Sequence, residues 1–142
     1  MPDCPVIRRM RPADLDQVGA IENSSFPTPW SASMLEGEFS YPYSHCFVVT
    51  ESNRIVSYIF SRLVADELHI LNLAVHPDFR RQGLGQHLVD FILSYSMQNK
   101  AKHAYLEVRT SNLDAIRLYQ KIGFTIIRKR NRYYEDGSDA FE

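Results

Sequence analysis

The spacing of apolar residues divides the chain into ten predicted elements. Consecutive or alternating apolar residues predict strands at 6–10, 46–50, 55–63, 68–75, 104–108 and 124–134. Apolar residues at helical spacing predict four helices. Two of them lie in succession after the first strand, one follows the fourth strand, and one follows the fifth. The resulting order, β-α-α-β-β-β-α-β-α-β, predicts a mixed α/β fold with one sheet and helices on both faces.

Polar residues mark the predicted ends of these elements. Three helix starts carry a capping residue followed three positions later by a second polar residue, namely Asp14 with Gln17, Ser33 with Glu36, and Ser111 with Asp114. Gly123 predicts the end of the last helix. Ser52-Asn53 and Ala65-Asp66 predict the turns between the three central strands.

Residues 68–75 are nearly all apolar, which is typical of a strand buried on both faces. This strand leads into a loop with two arginines and two glycines, and the loop opens a helix. The N–H groups at a helix start lack carbonyl partners and carry about half a positive charge, so they favour a phosphate or diphosphate. A glycine-rich connector that binds no ligand is the alternative.

Two known phosphate loops do not fit this segment. Gly85 is followed by Gln86, whereas the nucleotide-triphosphatase loop needs Lys and then Ser or Thr after its last glycine. The dinucleotide fingerprint needs a small residue where Leu88 stands. What remains is the pattern Arg80-x-x-Gly83-x-Gly85, in which Arg80 and Arg81 add charge-assisted contacts to an anion.

Length and composition restrict the classes of protein that are possible. The chain has 142 residues, 44% of them hydrophobic, which predicts one globular domain over 1–142. Its two cysteines, Cys4 and Cys46, exclude a disulfide framework, and its five histidines show no metal-ligand spacing. The sequence has neither a signal peptide nor an apolar run of about 20 residues, so we expect a cytoplasmic protein that binds no membrane and no metal.

Charge is distributed unevenly along the chain. The net charge is −1, which argues against direct binding of nucleic acid. Residues 1–78 carry 5 basic and 10 acidic side chains, whereas residues 79–142 carry 11 and 7. The acidic first half suits a cationic acceptor and the basic second half an anionic cofactor, although solvated charged faces explain the same pattern.

The loop and the second half of the chain together resemble a known family. Residues 80–85 look like the acetyl-CoA loop of the GCN5-related N-acetyltransferases (GNAT). The segments LEVR (106–109), SN (111–112), AIRLYQKIGF (115–124) and YY (133–134), with FPTPWS (26–31), resemble the RimI branch of ribosomal-protein alanine N-acetyltransferases. This resemblance implies the GNAT fold, a mostly antiparallel sheet, acetyl-CoA as cosubstrate, and a protein N-terminus as acceptor.

The resemblance also implies roles for individual residues. The pantetheine arm and acetyl group would lie along the backbone of Leu73, Ala74 and Val75. The diphosphate would be held by Arg81, Gln82, Gly83, Leu84, Gly85 and Gln86. Asn112 would contact the cofactor from the other side of the cleft, with Glu107 as general base and Tyr119 as general acid.

These roles have structural alternatives. Glu107 could pair with Arg109 on the same strand, and Tyr119 could be a core residue on the apolar stripe of its helix. Trp30, Tyr133 and Tyr134 are candidates to line a peptide groove, and Trp30 could equally belong to the core.

The chain departs from the family pattern after the last hairpin, because residues 138–142 leave a short final strand or none. We therefore expect an open sheet edge beside 125–134, and a monomer or weak dimer. Two other functions fit the sequence: acetylation of a small-molecule amine, and binding of acyl-CoA without catalysis.

Overall fold

The computed structural model describes residues 5–134 and 136–142. These form two compact units, which meet in the sequence between Ala104 and Tyr105. The prediction of a single domain over 1–142 stays a prediction. Cys4 lies outside the described residues, and Cys46 is buried in the first unit.

The first unit is built on a sheet with strand order β1-β2-β3-β4-β5. Its strands are β1 (Val6–Arg9), β2 (Ser44–Glu51), β3 (Arg54–Val64), β4 (Glu67–Val75) and β5, which begins at the end of the unit (His103–Leu106). Neighbours from β1 to β4 are antiparallel, as predicted. The predicted turns are also confirmed, because Ser52, Asn53 and Ala65 adopt positive φ angles of 53°, 62° and 52°.

Helices cover both faces of this sheet, as predicted. The unit contains α1 (Leu15–Ser25), α2 (Ala32–Phe39) and α3 (Leu84–Gln98), with short 3-10 helices at Pro12–Asp14 and Pro77–Phe79. Val48 of β2 belongs to one core cluster with Val18 of α1 and Leu35 of α2. The next residue back, Phe47, packs its ring against Phe91 of α3. Since successive strand residues point to opposite faces, each face has its own helical cover.

Strand β4 is less buried than its apolar run predicts. Leu68, Ile70, Asn72 and Ala74 are buried, but the residues between them are only half-buried. The prediction of full burial on both faces is therefore wrong, because every second side chain of the strand stays partly exposed. A β-bulge lies at Leu71: Phe60 pairs with Asn72 and Ser61 with Ile70, so Leu71 has no partner and the alternation of faces shifts by one residue.

Two predicted helix caps are wrong in the first unit. The Asp14 carboxylate accepts the Arg11 N–H at 2.7 Å, ahead of a 3-10 turn that starts at Pro12, and Gln17 accepts the Ile55 N–H instead. Ser31, rather than Ser33, caps α2 by accepting the Met34 N–H. At the start of α2, two serines offer the same capping oxygen, whereas at Asp14 the carboxylate is engaged by Arg8 and by the Arg11 N–H.

The second unit contains α4 (Leu113–Ile122) and three short strands, β6 (Val108–Arg109), β7 (Lys129–Arg130) and β8 (Ala140–Phe141). β8 lies between β6 and β7, so the predicted short final strand is confirmed and the expected open edge at β7 is paired. The predicted long strand over 124–134 is wrong. Its apolar residues Ile126 and Ile127 are exposed, so no buried face supports a strand there.

Two further predictions in this unit change. Asn112, rather than Ser111, caps α4, and the predicted strand over 104–108 is interrupted at Glu107. Gly123 ends α4 with a φ of 127°, as predicted. None of the helices in residues 5–134 and 136–142 is long and apolar enough to cross a membrane.

We expect Asp14→Ala to lower the free energy of unfolding at pH 7 by about 1.5–3 kcal/mol, because it removes charge-assisted bonds. Asp14 is buried and accepts two bonds from Arg8, at 2.7 and 2.9 Å, and these bonds hold the pKa of its carboxyl below the ordinary value. The contribution is present above the ordinary pKa and is lost as pH falls through the lowered one. Urea unfolding at pH 7 and near pH 3 measures it.

Asp16→Ala is the control, since Asp16 is an exposed acid in the first turn of α1. It should cost less than about 1 kcal/mol. An Asp14→Ala loss that is as large near pH 3 as at pH 7 would contradict the assignment to the Arg8 pair.

Candidate active site

The connection from β4 to α3 exposes backbone N–H groups in the first unit. The first hydrogen bond inside α3 runs from the His87 N–H to the Gly83 carbonyl at 3.0 Å. The N–H groups of Leu84, Gly85 and Gln86 precede it and so have no acceptor within the helix. These donors and the helix dipole favour an anion at this position.

Left-handed backbone conformations shape the loop before this helix. Arg81 has a φ of 63° and Gly83 a φ of 79°, with Gln82 between them, and all three are exposed. Alternating backbone conformations of this kind turn successive N–H groups towards a common space. A Cβ at Gly83 would meet no atom within 4 Å, so the backbone there is open to a ligand. The loop therefore fits the diphosphate of acetyl-CoA.

Arg80 is engaged with the protein itself. Its guanidinium donates to the Val75 carbonyl and to the Ser25 hydroxyl, both at 3.0 Å, which ties the loop to the ends of β4 and α1. Its predicted contact with the cofactor stays a prediction. Among the candidate acetyl-arm residues Leu73, Ala74 and Val75, the Ala74 carbonyl accepts the Ser57 hydroxyl at 2.8 Å. Side chains thus fix the backbone at the end of β4.

The candidate base Glu107 lies in the second unit near an arginine. Its carboxylate is 4.0 Å from the Arg130 Nε, which is the one buried side-chain nitrogen or oxygen without a hydrogen bond in the described chain. Arg109, the alternative partner, binds both carboxylate oxygens of Asp136 at 2.7 and 2.9 Å and lowers the pKa of Asp136 to about 2. Its guanidinium also lies 4.2 Å from the centre of the Tyr134 ring.

The candidate acid Tyr119 keeps its proton at neutral pH. Burial, and then the charge of Tyr134, raise the pKa of Tyr119 to about 12. Its ring also contacts Phe124, at 5.8 Å between centres, as the core alternative predicts. A protonated phenol of this kind can donate a proton.

Four candidate residues of the second unit interact electrostatically with at least one other member of the group. The Tyr133 and Tyr134 rings contact each other, with centres 5.1 Å apart. Burial raises the pKa of both tyrosines, and the Glu107 charge adds to the increase. The pKa of Tyr134, which the Arg109 charge lowers in part, is raised to about 12. Tyr134 in turn influences Tyr119. Glu107, Tyr119, Tyr133 and Tyr134 are therefore close enough to influence one another's charges.

The remaining candidates have clear local environments. Asn112 accepts the Ala115 N–H with its side-chain oxygen at 3.2 Å and so caps α4, and its predicted cofactor contact stays a prediction. Trp30, in the first unit, is half-buried and its ring centre lies 5.6 Å from that of Phe60, so it contributes to core packing. Its role towards an acceptor stays a prediction.

Sequence reasoning missed two residues with unusual environments. Glu22 is a buried carboxylate that accepts three hydrogen bonds, and Arg130 faces Glu107. The only signal for Glu22 is its place on the apolar face of α1, beside Ile21. Arg130 stands in a run of basic residues that carries no positional information.

Comparisons with known proteins agree with this arrangement. The profile of the Acetyltransferase (GNAT) family matches residues 15–124. The ribosomal protein bS18-alanine N-acetyltransferase of Escherichia coli (strain K12) is 31% identical over 128 residues, which are 90% of this chain and 86% of the relative. The crystal structure of the ribosomal-protein-S18-alanine N-acetyltransferase from Escherichia coli superposes with a TM-score of 0.91 at 30% identity, over 97% of this chain and 90% of the other.

A second solved structure, Ard1 from Thermoplasma volcanium, superposes with a TM-score of 0.90 at 33% identity, over 96% of this chain and 93% of the other. The chain therefore belongs to the acetyltransferase (GNAT) family. The predicted fold and the class of acetyl-CoA-dependent N-acetyltransferase are confirmed.

We expect Gly83→Ala to lower the free energy of unfolding by about 1–2 kcal/mol, because an L-residue pays this cost in the left-handed region. Space is not limiting, since the new Cβ meets nothing within 4 Å. Relaxation of the positive φ would also turn the loop N–H groups away, so calorimetry should detect weaker binding of CoA. Thermal unfolding measures the first effect.

Gly37→Ala is the matched control. Gly37 lies within α2, and its new Cβ also meets nothing within 4 Å. Because Gly37 is helical, alanine should stabilise the protein by up to about 1 kcal/mol and leave CoA binding unchanged. Equal CoA affinity in the Gly83 and Gly37 variants would contradict an anion site at this loop.

Proposed function

We propose that this enzyme transfers the acetyl group of acetyl-CoA to the N-terminal α-amino group of a protein, and that the acceptor is the N-terminal alanine of a small-subunit ribosomal protein of the bS18 type. The observation that carries this proposal is the superposition on the Escherichia coli enzyme over 97% of the chain. The proposed setting is the cytoplasm, with the enzyme a monomer or weak dimer that binds no nucleic acid directly.

The acceptor amine must lose a proton before it can react. An N-terminal amine has a pKa of about 7.7–8.0, so most of it is charged at neutral pH. Glu107 is the proposed general base, directly or through a water molecule. The Arg130 Nε lies 4.0 Å from this carboxylate and places a positive charge beside it.

The remaining steps need a hydrogen-bond donor and an acid. Acetyl-CoA supplies a thioester whose carbonyl oxygen gains negative charge as the amine attacks. A backbone N–H of Leu73, Ala74 or Val75 is the proposed donor to this oxygen. Tyr119 is the proposed acid that protonates the departing thiolate, and its raised pKa keeps the phenol protonated at neutral pH.

Aromatic side chains are the proposed contacts for the acceptor peptide. Tyr133 is exposed and Tyr134 half-buried in the second unit, and Trp30 is half-buried in the first. Such side chains offer rigid apolar area with a polar tip. The acidic balance of residues 1–78 favours a basic acceptor segment.

Incubation with acetyl-CoA and peptides that differ only in their first residues tests the proposal, with mass spectrometry as the readout. Acetylation confined to peptides that begin with Ala is the expected result. Acetylation of free polyamines alone would replace the proposal with a small-molecule acetyltransferase. Binding of acetyl-CoA with no acetylated amine would favour an acyl-CoA-binding module.

We expect Glu107→Gln and Tyr119→Phe each to lower turnover by a factor of about 10 or more, the lower range for acid–base groups. Both changes keep the backbone groups proposed to hold the pantetheine arm and the diphosphate, so calorimetry should give unchanged affinity for acetyl-CoA. Steady-state assays with an Ala-initiated peptide measure turnover. Glu51→Gln, which alters a carboxylate at the end of β2, is the control and should retain full activity. Variants of Glu107 or Tyr119 with undiminished turnover would refute these roles.

A further inference from the structure

The first unit contains a buried carboxylate that the proposed chemistry does not use. It lies next to Trp30, the residue of this unit that is proposed to contact the acceptor peptide. Glu22, near the end of α1, is 1% exposed. Its Oε1 accepts the Tyr58 hydroxyl at 2.5 Å and the Asn72 side-chain amide at 2.6 Å, and its Oε2 accepts the Trp30 N–H at 2.9 Å. All three hydrogen bonds are donated to one carboxyl group, whose two oxygens have enough lone pairs to accept them.

Glu22 fixes both ends of one loop. We define the acceptor loop as residues 26–30, which connect α1 to the cap of α2. The Phe26 N–H donates to the Glu22 carbonyl at 3.2 Å, and the Trp30 N–H donates to the Glu22 carboxylate. Both end residues pack against the buried core cluster, whereas Pro27, Thr28 and Pro29 are exposed. One residue therefore closes the loop and leaves its middle at the surface.

The same carboxylate reaches the strand that carries the acetyl-arm candidates. Asn72 is buried in β4, directly after the bulge at Leu71 and directly before Leu73. Asn72 and Trp30 thus share one acceptor group, which connects the loop to this strand through two hydrogen bonds. A shift of either element would leave a buried charge without a donor, which is costly.

We propose that Glu22 is a positioning residue that holds the acceptor loop in the conformation that receives the protein N-terminus. This inference rests on the proposed function for its catalytic consequence. The structural part of the inference, that Glu22 anchors the loop, does not depend on which acceptor the enzyme uses. Because Glu22 is buried, it acts through the Trp30 backbone and not through a contact with substrate.

Glu22→Gln tests the inference, because the amide keeps the size of the side chain but cannot accept all three bonds. We expect the KM for the peptide to rise by about tenfold, as for the loss of one charge-assisted hydrogen bond. The kcat and the KM for acetyl-CoA should change by less than about twofold, since the groups that react are untouched.

Trp30 supplies a second readout that needs no catalysis. It is the only tryptophan in the chain, so fluorescence excited in the tryptophan absorption band comes from this loop alone. In Glu22→Gln we expect stronger quenching by acrylamide and emission at longer wavelength, as the ring separates from Phe60. Glu22→Asp, whose shorter carboxylate falls away from the Trp30 N–H, should show the same change and serves if the first variant does not fold.

Tyr58→Phe is the matched control, because it removes another donor to the same carboxylate and leaves the Trp30 bond intact. It should lower stability without altering the peptide KM or the quenching. Unchanged quenching in both Glu22 variants, or equal effects in Tyr58→Phe, would overturn the inference. Altered quenching with no activity on any protein N-terminus would retain the anchoring role and refute the proposed function.

Discussion

The first turn of α3 presents N–H groups that the helix cannot satisfy, and the proposed cofactor site depends on them. A helix in this position requires the sheet strand before it to end sharply, which Pro77 and the 3-10 turn at Pro77–Phe79 achieve. The loop must then reverse direction, and Gly83 does so with a positive φ. Because main-chain groups form the site, side chains such as Gln82 can vary without removing its donors.

Strand β4 combines two functions that meet at adjacent residues. Asn72 donates to the buried Glu22 carboxylate, and Leu73 begins the backbone segment proposed to hold the acetyl arm. The bulge at Leu71 shifts the alternation just before this point, so that Asn72 faces the α1 side together with Phe60. A polar residue in a largely apolar strand thereby becomes the connection between core and site.

Regular periodicity made most of the first unit predictable. β2, β3, β4 and α3 each bury enough apolar side chain to fix their type from sequence, within one or two residues at the ends. The helix caps were less predictable, since Ser31 and Ser33 have the same capping chemistry and only tertiary packing selects between them. The strand predicted over 124–134 failed because β propensity without a buried face does not determine structure.

The candidate site was likewise predictable from sequence in one part and not in another. The loop at residues 80–85 has a recognisable pattern because its backbone requires glycine, and that requirement appears in the sequence. The Glu22 contacts join residues 36 and 50 positions apart in the chain, and no local pattern records them. A glutamate on the apolar stripe of α1 indicates only that something must satisfy it.

The state of the cysteine in the first unit bears on the reaction type. Burial raises the pKa of the Cys46 thiol to about 11, so at neutral pH it is a thiol and a weak nucleophile. A covalent acyl-enzyme on Cys46 would need both exposure and a thiolate, and its position inside β2 provides neither. Direct attack by the acceptor amine requires only a base for one proton and an acid for another. Glu107 and the protonated Tyr119 are the residues proposed for these two roles, and they lie within one unit, where Tyr134 interacts electrostatically with both.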